Sequence, residues 1–222
     1  MSTRFATHQP PETSLTREVR LAVEVLDPVT CERIRDGLTV QARGLLGKPI
    51  VNAGGMFVWT REPGREPLEV FVDPGYLPFA ARTQPAPAAP GNFLSITLSP
   101  TSAYAFSSGT PGIRGRLVER RLDDPAQPVP GATVWLQWID DSTGTETWID
   151  APVRATTDGN GEFAAIVRLA SSQAPLADAQ GNLRVRVAAT RGGATRRSPE
   201  RSLPPGRVAD MRVAFAWDEF LP

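Results

Sequence analysis

Proline and glycine recur about every ten residues along this chain, 22 and 19 of them in 222 residues. Proline removes a backbone donor and glycine weakens a helix interior, so there is little room for long helices. Short strands joined by turns remain, and the residues between the breaks agree with that. Val19, Leu21, Val23 and Val25 alternate with polar residues, the period of a half-buried strand. Further strands are expected at residues 37–42, 56–59, 67–72, 93–98, 113–119, 133–139, 163–169 and 183–187, with a last one from Asp210 to Trp217. A long hairpin is expected to pass through Trp148 and Ile149. The fold class predicted is all-β: two tandem antiparallel β-sandwiches.

The order of strands and turns occurs twice. Val23 to Val40 is a step of 17 residues, and so is Leu117 to Val134. Gly37 falls on Gly131, a shift of 94, and Gly55-Met56-Phe57 falls on Gly161-Glu162-Phe163, a shift of 106. The second copy carries the longer hairpin between these points. Residues 1–16 read as a flexible polar arm, 17–106 as the first sandwich and 107–222 as the second. Residues 80–92, rich in proline and alanine, read as a semi-rigid connector.

The stretch "TTDGNGEF" (156–163) has the acidic and amide spacing of a calcium loop. The EF-hand pattern fails, because Phe163 stands where its glycine belongs and Leu169 where its closing glutamate belongs. Its counterpart "NAGGMF" carries no acidic residue. A turn explains both copies; a metal explains one.

Little in the chain points to catalysis. The one histidine, His8, lies in the arm, so a nucleophile–imidazole pair is not expected. The one cysteine, Cys31, excludes an internal disulfide and a thiolate metal site, and reads as a semi-buried loop thiol. "GTPGIRG" lacks the lysine and the strand–helix context of a phosphate loop. Asp123-Asp124 and Asp140-Asp141 are adjacent, so each pair splits between faces of a strand and reads as solvated turn residues. No cofactor and no metal are expected. Lys+Arg and Asp+Glu are 24 each, and this balance gives no field to draw nucleic acid or an anionic membrane. "TRGGATRR" (190–197) reads as a solvated hairpin tip. No apolar run reaches membrane-spanning length, and the first residues lack the apolar stretch of a secretory signal. The expected location is the cytoplasm, or a particle assembled there and released.

The aromatic residues are the candidate binding groups. Val134, Leu136 and Trp138 share one face of a strand, and Trp135 shares the other with Gln137 and Ile139. Trp135 and Trp148 are therefore either packing residues or a surface pair that docks a protein or stacks on a sugar. At the other end, Trp217, Phe220 and Leu221 keep the chain apolar up to its last residues. Residues 218–222 are expected to reach out to a neighbouring molecule by strand addition.

In the second half, Gly115, Pro130-Gly131-Ala132 before Val134, and Thr157-Asp158-Gly159 with Gly161 and Phe163 resemble the carboxypeptidase regulatory-like domain, over about residues 110–190. That resemblance implies an immunoglobulin-like or transthyretin-like sandwich serving as stalk, spacer or assembly module, without catalysis. "LAVEVLDPVT", "FVWTREPG", "VDPGYLPF" and "LSPTSAYAF" are loosely similar to two-domain accessory proteins of phage-tail-like contractile injection systems. The function expected is a structural adaptor with protein partners, or a homo-oligomer. The alternative is a carbohydrate-binding module using Trp135 and Trp148.

Overall fold

The computed structural model describes residues 18–60, 67–87, 92–122, 125–169, 173 and 175–222. The proposed arm, His8 and the Asp123-Asp124 pair lie outside these. The first half contains β1 (Val19–Leu26), β2 (Thr39–Arg43), β3 (Ile50–Val51), β4 (Phe57–Thr60), β5 (Glu69–Asp73), β6 (Phe79–Ala80), β7 (Arg82–Pro85), β8 (Phe93–Thr97) and β9 (Ser99–Pro100). The second contains β10 (Gly112–Val118), β11 (Thr133–Asp140), β12 (Thr147–Asp150), β13 (Ala155–Thr156), β14 (Glu162–Ile166), β15 (Leu183–Arg191), β16 (Ala194–Arg197), β17 (Arg201–Leu203), β18 (Val208–Asp210) and β19 (Phe215–Ala216). The chain is all-β, as its alternation predicts; the described residues add one 3-10 turn, Trp217–Glu219.

Each half buries its alternating side chains between two sheets. One core gathers Leu21, Val23, Val25, Val40, Phe57 and Trp59 with their neighbours; the other gathers Ile113, Leu117, Val134, Leu136, Trp138 and Phe163 with theirs. Val134, Leu136 and Trp138 thus face the core together, as their spacing requires.

The doubled plan is visible in the ladders. In the first half β1 lies between β4, antiparallel, and β8, parallel, while β5 lies between β2 and β7. In the second, β10 lies between β14, antiparallel, and β18 and β19, parallel, while β15 lies between β11 and β16–β17. The sheets are mainly antiparallel, as expected, and the parallel pairs of β1 with β8 and of β10 with β18 and β19 add a detail that side-chain alternation does not carry.

The register needs a second correction. Val23 lies opposite Phe57, and Gly115 lies opposite Phe163. The counterpart of Val23 is therefore Gly115, two residues before Leu117. A slip of two keeps every side chain on the same face, so periodicity alone does not detect it. Gly115 makes room: a Cβ there would lie 2.8 Å from the Phe215 ring and 3.1 Å from Phe163.

The two glycine turns are the same turn. In one, the Asn52 side chain accepts from the Met56 N–H, and the Asn52 N–H bonds the Met56 carbonyl. In the other, Asp158 does the same with Glu162. A third copy, Asp178 to Asn182, escaped the sequence reading. Gly55, Gly161 and Gly181 adopt the left-handed region at φ 78°, 76° and 80°, and Gly159 does not. The aspartates act as turn caps, each spending its carboxylate oxygen on backbone N–H groups.

This use of the carboxylate has a pH signature. The Ser202 hydroxyl, with the Asn182 and Gln180 N–H groups, holds the Asp178 carboxyl down at about 2. Its folded value lies below the unfolded one of about 4. Its contribution to stability is present above that unfolded value and is lost as pH falls through about 2. Denaturation at a series of pH values should therefore show a smaller acid-side loss for Asp178→Asn than for the parent chain. Equal slopes would mean the carboxylate does not matter.

Three local expectations change. Within residues 80–92, Arg82–Pro85 is a strand paired with β5, so part of the connector belongs to a sheet. The strand expected from Asp210 to Trp217 is broken into β18 and β19, separated by a bend. Cys31 is exposed and sits at φ 61°.

Candidate functional site

The outer face of β11, β12 and β15 carries a chain of stacked and hydrogen-bonded side chains. β12 runs antiparallel to β11 and puts Trp148 opposite Ile139 and Asp150 opposite Gln137. β15 puts Arg186 opposite Gln137 on the other side. Three strands thus bring Asp150, Gln137 and Arg186 into one row across the sheet. The Gln137 amide donates to Asp150 at 2.6 Å, and its carbonyl oxygen accepts from the Arg186 Nε at 2.6 Å. Arg154, four residues beyond Asp150, pairs with it at 2.8 Å.

Both guanidinium groups stack on tryptophan. Arg154 lies 4.0 Å from the Trp135 ring centroid, and Arg186 lies 4.1 Å from that of Trp148. The row reads Trp135, Arg154, Asp150, Gln137, Arg186, Trp148. The structure brings the two predicted tryptophans into one network without ring-to-ring contact. Trp135 is buried, 7% exposed, and Trp148 is half-buried.

The electrostatics follow from this order. Partial burial pushes the Asp150 carboxyl up; hydrogen bonds from Arg154 and Gln137 outweigh it and hold the group below its ordinary value. The Trp135 indole N–H makes no hydrogen bond of good geometry, yet it faces the carboxylate closely enough to favour the charged form. Burial, and then the nearby Arg197, lower the Arg186 pKa. A guanidinium ordinarily titrates so high that Arg186 remains charged near neutrality. Its Nε is committed to Gln137, which leaves the terminal amino groups to meet an anionic or carbonyl group.

The remaining candidates sit elsewhere. Trp217 is half-buried beneath Arg196, 5.0 Å from its ring centroid, and Arg196 also donates to the Trp217 carbonyl at 3.1 Å. Phe220 belongs to the core at 4% exposed, 6.2 Å from Phe215 in an edge-on arrangement. Leu221 exposes its side chain while its backbone exchanges two 2.8 Å hydrogen bonds with Arg197. Residues 220 and 221 therefore turn back onto their own sandwich, correcting the expectation that 218–222 reach outward. The physical reason is the 3-10 turn at Trp217–Glu219, which redirects the chain and aims Phe220 inward.

The arginines were missed by sequence reading. Arg186 stands 38 residues beyond Trp148, and only the ladder brings them together. One signal was present: Lys48 is the only lysine, so 23 of the 24 basic residues are arginine. Arginine stacks on aromatic faces far better than lysine. The "TRGGATRR" tip is also less free than expected, since Arg191 pairs with Glu119 and Arg196 covers Trp217. Among the described residues, no group of three or more His, Cys, Asp or Glu is placed to hold a metal ion, and no helix is long and apolar enough to cross a membrane.

No family model matches the chain, and no curated protein matches it. Among solved structures, the Bacillus anthracis TIE protein aligns over 89% of this chain at 12% identity with a TM-score of 0.26. The aligned region is 34% of that longer chain.

Proposed function

We propose that the chain is a non-catalytic adaptor that docks a protein partner through the arginine–tryptophan face of its second sandwich. The carrying observation is Arg186, braced between Gln137 and the Trp148 ring. Arginine and tryptophan concentrate binding energy at protein interfaces, and bracing reduces the entropy lost when the partner arrives. The carboxypeptidase regulatory-like pattern of residues 110–190 favours the same role of spacer or assembly module. The setting proposed is a phage-tail-like contractile particle, on the looser likeness of the first half and the crossing segment. Sheath, tube and baseplate genes beside this one would support that setting.

Sugar stacking is the second reading, and the guanidinium groups weigh against it. A sugar ring would have to displace a cation–π contact worth about 0.5–2 kcal/mol. The test is association with the products of adjacent genes, with Arg186→Ala as the variant. Binding, measured well below the melting transition, should weaken by about tenfold or more, while the melting temperature falls by only a few degrees because Gln137 loses a partner. Unchanged association would sink the docking role of this face. A glycan-array signal abolished by Trp148→Ala would favour the carbohydrate reading instead.

A further inference from the structure

The two halves differ in where the chain goes after the second strand of each copy. In the second half it returns along β11: β12 and β13 pair with that strand, and the alternate residues Ala151, Val153 and Ala155 are buried in the sandwich. In the first half the segment is shorter and pairs with the opposite sheet, as β3 on β4. Val40, the counterpart of Val134, therefore belongs to a strand whose second edge has no paired strand among the described residues. A groove of about 770 Å³ follows that edge. The buried Val40, Ala42 and Phe57 line it, together with Arg43, Lys48, Val51 and Glu69. Ile50 and Val51 stand exposed beside it.

We infer that this groove receives one extended segment of a partner protein, laid antiparallel on β2 in the place that β12 and β13 take on β11. The second half supplies the template for the occupant: small apolar residues at alternate positions, buried as Ala151, Val153 and Ala155 are, with Ala151 reaching the core. An acidic residue at its start complements Lys48, since Arg43 is already paired with Glu69 of the same lining at 3.0 Å. Leu45, Gly47, Lys48, Pro49 and Val51, from the short connection that replaces the covering hairpin, line the groove beside β2. The site is separate from the arginine–tryptophan face and stands whether or not that face docks anything.

The probe is a synthetic peptide with the sequence of residues 147–157, titrated into the full-length protein. The expected result is saturable binding with a Kd below about 100 μM, lost when the peptide carries Asp at the positions of Ala151, Val153 and Ala155. Amides of residues 39–43 should gain hydrogen-exchange protection, and Lys48, the only lysine, should be shielded from acylation. Val51→Lys, at an exposed position, should weaken binding by about tenfold or more without changing the melting temperature. No binding up to about 1 mM would overturn the inference, as would binding indifferent to Val51→Lys. Protection appearing at residues 133–140 would show strand exchange in the second sandwich and count against it. A concentration-dependent dimer abolished by Val51→Lys would assign the groove to a second copy and refute the partner segment.

Discussion

Replacing Gly161 by alanine should destabilise the protein by about 3 kcal/mol, lowering its melting temperature by roughly 6–12 °C. Two costs coincide at this position. The residue sits at φ 76°, where an L side chain is strained. A Cβ would also overlap the Leu117 carbonyl oxygen, while the Gly161 carbonyl accepts the Leu117 N–H at 2.8 Å. The turn and β10 are held at that separation by their own hydrogen bond, so neither side can yield without losing it. Gly131 is the control. It has a similar φ of 71°, with nothing within 4 Å of the position a Cβ would take. Gly131→Ala should cost only the backbone strain, about 1–2 kcal/mol. Equal losses in the two variants, measured by chemical denaturation, would show that close approach to Leu117 is unimportant.

Phe220→Ala should be comparably costly, about 3 kcal/mol, although the residue is third from the last in the sequence. Its ring is buried against Phe215 and Trp217 and would leave a cavity in the second core. Leu221→Ala, at a side chain 65% exposed, should change little. A melting temperature unmoved by Phe220→Ala would return the tail to the role of an outward-reaching segment.

These two sites mark the limits of reading the sequence. The Gly161 turn was legible, because glycine beside acidic or amide residues has a local meaning and occurs at Gly55 as well. Phe220 was not. Met211, Val213, Phe215 and Trp217 alternate as a strand would, yet Val213 is exposed and the backbone bends between β18 and β19. Alternation reports side-chain character, and the turn that overrides it depends on contacts with β10 and Arg197. The strand Arg82–Pro85 was hidden by proline, which is tolerated there because β7 lies at a sheet edge. At the candidate site, the opposite faces of Trp135 and Trp138, three residues apart, followed from the two-residue period of a strand. The arginines covering Trp135 and Trp148 did not, since ladder register is set by long-range pairing.

The unequal connections after the second strands bear on how a duplicated protein avoids polymerising. Two identical sandwiches in tandem would each present the same unsatisfied edge, a recipe for head-to-tail fibres. Here 21 residues separate β11 from β14, and only 13 separate β2 from β4. Those extra residues fold back as the covering hairpin and remove one of the two sticky edges. Loop length thus sets how many of these edges stay open. Grafting the longer loop onto the first copy would produce a chain with both of these edges closed, and shortening it in the second would produce one prone to assembling with itself.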